Sequence, residues 1–196
     1  EMSASLVGSE MCIRDRLQLF TSSFAAYAFA KMQFKGKNAL FLGYIATIAV
    51  PWQAYMVPQF MMMSSWHLNN THLAIMCLQA FSAFGVFLMK QFYEGVPTEL
   101  CEAARIDGLS EYGIWWHIML PLSLPALSTL TIFTFVNTWN DFLGPLIYLT
   151  KTELKTIQIG LRMFITQYSA EYGLIMAASV VAPVSYTHLR AHETSA

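Results

Sequence analysis

Apolar residues in this chain fall into blocks of membrane-span length, separated by short polar segments that carry nearly all of the charge. From Asn38 to Met89 there is no Asp, Glu, Lys or Arg, and His67 and His72 are the only basic side chains. A run of this kind accommodates two crossings at about 20 apolar residues each. The first is Ala39 to Met63 and the second Leu73 to Met89, with Ser64 to His72 as the loop between them. Pro51 and Pro58 interrupt the first, and the lost backbone hydrogen bonds predict a kink or break near Pro51. Upstream, Leu17 to Ala30 is a shorter apolar helix whose Ser22, Ser23, Ala25, Ala26 and Ala28 would let a neighbouring helix approach closely. Downstream, Leu122 to Thr138 is apolar again and runs into Trp139 to Thr150. Lys151 to Glu171 then reads as an outer segment, and Tyr172 to Pro183 as the start of a last span.

Between these spans lies a polar island, PTELCEAARIDGLSEYGIWWHIMLPLSLP from Pro97 to Pro125. It reads as two short helices joined at Gly108, a residue that accepts the left-handed conformation ending many helices. Thr98 is the expected cap of the first helix, with Glu99 and Glu102 in its opening turns, where carboxylates suit the positive end of the helix dipole. Ser110 is the expected cap of the second, which runs through Trp115 and Trp116 until Pro121 closes it. Leu100, Ala103 and Ala104 form a small-sided apolar face, while Glu99, Glu102, Arg105 and Asp107 offer charge. That combination suits a helix laid into a partner's groove. Two other readings stay open on these residues alone: a DNA-reading helix-turn-helix, and an amphipathic loop of a membrane enzyme or scaffold.

Composition narrows the choice. The chain of 196 residues is 56% hydrophobic and only 12% charged, with a mean hydropathy of +0.45. Soluble domains carry roughly 25% charged residues, so the chain is read as an all-α polytopic membrane protein. A net charge of −1 gives no basic face for nucleic acid. Lys31, Lys35, Lys37, Lys90 and Arg105 on one side outweigh Lys151, Lys155 and Arg162 on the other, which places the island and the Lys31 to Asn38 loop in the cytoplasm. Residues 1–16 and 184–196 are polar and aperiodic and resemble translated sequencing-adapter read-through; both are expected to lie outside the fold, leaving 17–183 as the transmembrane domain and 97–121 as its cytoplasmic loop.

Candidate chemistry is sparse. Cys12, Cys77 and Cys101 form no CxxC or paired framework, and His67 and His72 have no carboxylate or thiol beside them, so no metal site or cofactor is expected. His117 has no nucleophile or acid arranged with it, no catalytic residue is assigned, and no GxxxxGK[ST] phosphate loop occurs. Asp141 is the exception among the spans. A charge at the bilayer centre costs about 2.5 to 3.5 kcal/mol on insertion scales, so Asp141 belongs near an outer helix end or facing the bundle interior. With Asn137, Trp139 and Asn140 it is a candidate for the solute pathway. Trp139 could equally belong to an interfacial belt, and Asp141 could only bond a neighbouring helix end.

Glu102-Ala103-Ala104, Asp107-Gly108 and Ile118-Met119-Leu120-Pro121 resemble the EAA loop of inner-membrane permeases of bacterial ATP-binding-cassette importers. With FAAYAFAKMQFKGK, VPTELCEAARIDG, IMLPLSLPAL and TWNDFLGPLIYLT, the chain from Leu17 to about Pro183 resembles the carbohydrate-importer permeases of the maltose-transporter type; Leu109 stands where that family has alanine. The resemblance implies a type I importer permease bundle in the bacterial cytoplasmic (inner) membrane, here with roughly five of its six spans. It further implies a second permease subunit, two ATPase subunits on which ATP is hydrolysed, and a periplasmic or lipid-anchored solute-binding protein delivering a sugar. Glu99, Glu102, Ala103, Ala104, Arg105, Asp107, Gly108, Leu120 and Pro121 would then couple to the ATPase.

Overall fold

A computed structural model describes residues 4–151 and, beyond them, Thr156, Ile159 and Met176. The expected outer segment after Lys151, apart from those residues, and the tail 184–196 lie outside the described residues, as does the span Tyr172 to Pro183 apart from Met176. Among the described residues all regular structure is helical. No single helix there is both long and apolar enough to cross a membrane, but three bent pairs are by length and composition.

Helix α1 runs unbroken from Ala4 to Lys31. Residues 4–16 continue the same helix, and Arg14 and Asp15 are buried. Extension adds one hydrogen bond per residue fixed, without a new nucleation cost, and nothing between Ala4 and Leu17 is a proline.

The next apolar block forms the first bent pair. Helix α2 (Lys37–Ala46) and a 3₁₀ turn (Thr47–Ala49) meet α3 (Trp52–Ser65) at 100°. Val50, just before Pro51, is extended at φ −85° and ψ 113°, the conformation that a following proline imposes. Pro58 lies inside α3 without ending it, so Pro51 makes the break. The second pair, α4 (His72–Gln79) and α5 (Ala83–Gly95), bends by 42°, and Ser82 caps α5 by accepting from Gly85 N at 3.0 Å.

The island contains α6 (Thr98–Ile106) and α7 (Glu111–Ile114), then a wide π turn (Trp115–Met119) and the single turn α8 (Leu120–Leu122). Thr98 is the first helical residue and not the cap. Pro97, with φ −55° and ψ 135° and no side-chain donor or acceptor, holds the cap position. Pro121 does not close the second helix either. In the π turn the Leu120 N–H reaches back to the Trp115 carbonyl, and this wider register carries the helix past the proline to a 79° bend at Ser123. Helices α9 (Leu124–Asn140) and α10 (Leu143–Tyr148) follow.

The main core lies where α1 runs along α5. Ser22, Ser23 and Ala26 are fully buried, and a Cβ on Gly85 would come within 2.6 Å of Ser22 Oγ, so the Ser22 side chain packs directly on the α5 backbone because Gly85 has none. Tyr27, Met89, Tyr93 and Trp115 fill this core. A buried polar knot stitches it: Ser23 Oγ lies 2.7 Å from Tyr93 Oη, accepts from Trp115 Nε1 at 3.1 Å, and Tyr93 Oη lies 3.3 Å from Ser123 Oγ. A smaller cluster of Met63, Ala74, Ile75, Tyr148 and Leu149 forms separately, where Asn70 Oδ1 accepts from Thr150 N at 2.8 Å. Lys31 donates to the Val96 carbonyl at the entry to α6, so the lysine-bearing end of α1 and the island sit together.

Candidate functional site: a charged hairpin and a polar cavity

Hairpin geometry begins with the end of α6. Gly108 has φ +83°; its N–H donates to the Arg105 carbonyl and the Leu109 N–H to the Ala104 carbonyl, both at 3.0 Å. This pair of bonds is the Schellman ending of a helix, which needs a residue tolerant of left-handed backbone one place beyond the cap Asp107. Leu109 occupies the position where that motif takes an apolar residue, and it lies against Gly113 on α7. Ser110 then caps α7 by accepting from Gly113 N at 3.2 Å.

The two faces of α6 differ from the expected division. Cys101 and Ala104 are buried beneath the helix, so Ala104 anchors it and does not face outward with Leu100 and Ala103. Glu99, Glu102, Ala103 and Ile106 share the exposed face at the i, i+3, i+4, i+7 spacing of one helical stripe. Ile106 is 87% exposed, the highest value among the large apolar side chains of the described residues, and was not among the expected coupling residues. The stripe spacing was the signal that could have found it. Asp107, Gly108 and Pro121 are exposed, and Leu120 is partly buried.

Arg105 is engaged within the chain. Its Nε donates to Glu111 Oε1 at 2.6 Å and its Nη2 to Glu111 Oε2 at 3.2 Å. The guanidinium first, and the Tyr27 hydroxyl with it, hold the Glu111 carboxyl below the usual carboxylate range, while hydrogen bonding to Glu111 pushes Arg105 further up. Burial raises the Cys101 thiol, which keeps it in its uncharged form.

An open cavity of about 420 Å³ is bordered by α1, α3, α4, α9 and α10. Gln18, Trp52, Gln59, Gln79, Asn137 and Asp141 give it amide, aromatic and carboxylate groups. Thr134 and Tyr148 also line it, and their buried hydroxyls have no hydrogen-bond partner among the described residues. Of the residues expected on a pathway, Asn137 and Asp141 reach this cavity. Trp139 instead stacks on Phe135 at 5.7 Å, and Asn140 bonds back to the Val136 carbonyl at 2.9 Å. Asp141 accepts from Gln79 Nε2 at 2.8 Å and from Gly144 N at 3.2 Å, tying α10 to α4.

Among the described residues the chain is thus of an all-helical class, built of bent apolar helix pairs of membrane-span length and composition with a charged hairpin packed onto their core. The chain belongs to the family described as binding-protein-dependent transport system inner membrane component, which matches residues 18–189. It is 39% identical over 165 residues to the arabinooligosaccharides transport system permease protein AraQ of Halalkalibacterium halodurans, covering 84% of this chain and 59% of that protein. It is 36% identical over 166 residues to the lactose transport system permease protein LacG of Rhizobium radiobacter, covering 85% and 61% respectively. The chain thus spans about three-fifths of the length of these curated relatives. Its fold matches, with a TM-score of 0.81 and 22% identity, a chain in the crystal structure of a bacterial ABC transporter involved in the import of the acidic polysaccharide alginate; the match covers 95% of this chain and 72% of that one.

Proposed function

We propose that this chain is a permease subunit of an ATP-binding-cassette importer for a sugar or sugar-like solute, spanning the bacterial cytoplasmic membrane several times. A second permease would complete the pathway, ATPase subunits would supply the energy, and a periplasmic or lipid-anchored binding protein would deliver the solute. The observation that carries this reading is the α6 stripe. Glu99, Glu102, Ala103 and Ile106 stand exposed on a helix that is pinned from below by Cys101 and Ala104 and ended rigidly at Gly108. Such a stripe matches helix-in-groove docking, with small and apolar residues seating the helix and carboxylates setting its register. Asp107, Leu120 and Pro121 would border the same contact, with Arg105 serving from inside it.

The cavity supports a solute path on this side of the pore. Amides and a carboxylate suit hydroxyl groups, and the Trp52 ring suits the apolar face of a sugar. Asn137 and Asp141 are the pathway residues in this reading, with Trp139 and Asn140 on other faces of the same turn.

The reading is tested by placing a cysteine-reactive crosslinker at Ile106→Cys and reacting membranes that contain the importer's ATPase. A crosslinked permease–ATPase band that is lost on moving the probe to the buried Ala104 position is expected. Equal or absent crosslinking at both positions would sink the docking assignment and favour a scaffold role.

A further inference from the structure

The Arg105–Glu111 pair has a third member, on another element. Tyr27 of α1, with 1% of its surface exposed, donates its hydroxyl to Glu111 Oε2 at 2.6 Å. Glu111 therefore takes donors from the last turn of α6 and from α1 while itself opening α7. An exposed arginine–glutamate pair by itself contributes little. Here the carboxylate is also bonded to a ring that cannot drift, because Tyr27 packs edge-on against Tyr93 in the main core at 6.5 Å.

The second link lies one helical turn earlier. Ser23 of α1 accepts from Trp115 Nε1 at 3.1 Å, and residues 23 and 27 share one face of the helix. The apolar contacts beneath Cys101 and Ala104 are non-directional and permit sliding. With Lys31, which donates to the Val96 carbonyl at the entry to α6, successive turns of α1 hold the hairpin by three directional bonds, and the Tyr27 bond is the one made to the Arg105–Glu111 pair. A hydroxyl that only needed satisfaction at the edge of the core could take water; this one is given to a carboxylate already held by the hairpin's own arginine.

We propose that Tyr27 is a positioning residue, which acts through Glu111 and Arg105 to lock the hairpin to α1, so that displacement of α6 moves α1 and is not absorbed at the Gly108 turn. This rests on the coupling role given to the hairpin above. It assigns α1 as the helix that receives the ATPase stroke.

The test compares wild type with Tyr27→Phe, which removes one hydroxyl and keeps the ring, and with Glu111→Gln, which keeps the shape and an acceptor but removes the charge. Hydrogen–deuterium exchange on the purified chain in lipid nanodiscs should show residues 109–114 exchanging about fivefold faster in Tyr27→Phe, the equivalent of one net hydrogen bond, with α5 unchanged. Glu111→Gln should loosen the same residues. In the assembled importer, Tyr27→Phe should lower solute uptake per ATP hydrolysed while the ATPase is captured in wild-type yield, a ratio that loss of stability alone does not move. Unchanged exchange in the hairpin, acceleration spread equally into α5, or an unaltered uptake-to-hydrolysis ratio would overturn the proposal. A wild-type chain that captures no ATPase would sink the coupling role instead, and the exchange data would still decide whether Tyr27 pins the hairpin.

Discussion

Gly108 is the position where one substitution separates backbone conformation from packing. A Cβ built there meets no atom within 4 Å, so any cost of a side chain comes from holding φ at +83°. For L-residues that region costs roughly 1 to 2 kcal/mol, near the lower end for alanine and the upper end for a β-branched residue, while asparagine tolerates it best. At about 1.4 kcal/mol per factor of ten, Gly108→Ala should open the turn about fivefold more often and Gly108→Val about thirtyfold. Two backbone bonds report on that opening, from Gly108 N to the Arg105 carbonyl and from Leu109 N to the Ala104 carbonyl. Protection of the Leu109 amide against exchange should fall in the order Asn, Ala, Val, with helices α1 and α5 unaffected. In the assembled importer Gly108→Val should insert into the membrane normally yet transport poorly. Wild-type protection in Gly108→Val, or losses that follow side-chain size with asparagine as bad as alanine, would refute the conformational argument. Unchanged sugar uptake would refute its link to coupling.

Charge reversal at the exposed Glu102 should weaken capture of the ATPase, most strongly at low salt; an unaltered pull-down yield would count against the docking stripe. Gly85→Ala forces a methyl to within 2.6 Å of Ser22 Oγ and should destabilise the α1–α5 pair by about 1 to 3 kcal/mol, partly restored by Ser22→Ala, as read from thermal unfolding in detergent. Glu111 supplies a pH signature. Its carboxyl is depressed in the folded hairpin relative to the ordinary value of 4.5, so its contribution is present above that pH and is lost as pH falls through the lower folded value. Hairpin amide protection should therefore be flat at neutral pH and decline only below pH 4.5; a decline centred near neutrality would assign the effect to another group.

Local backbone chemistry was readable in the residues themselves. The break at Pro51, the left-handed stop at Gly108 and the Ser110 cap all follow from what single residues permit, and the structure contains each of them. Thr98 misled for a similarly local reason: the proline before it already fixes an extended backbone at the cap position, so the threonine becomes the first helical residue. Pro121 misled because a π turn upstream removes the conflict that normally ends a helix at proline. No residue in WWHIM announces that turn by itself.

The orientation of faces was harder to read, and the two halves of the site show why. Asn137 on the last turn of α9 and Asp141 just past its end reach the cavity together, while Trp139 and Asn140 lie on other faces; the helical period separates Asn137 from Trp139 and Asn140, but Asp141 is placed by the extended backbone at the cap. On α6 the same period leaves two solutions, because small and apolar residues occupy both sides and nothing within nine residues says which side meets the core. Trp115, Tyr93 and Ala26 settle that from elsewhere in the chain by building the core onto which Cys101 and Ala104 close. Arg105 illustrates the same dependence. Its charge suggests an outward role, yet its place is set by Glu111 and by Tyr27, 84 positions from Glu111. The turn that makes the hairpin is written locally, whereas the seat of the hairpin is set by Tyr27 and Ser23 of α1.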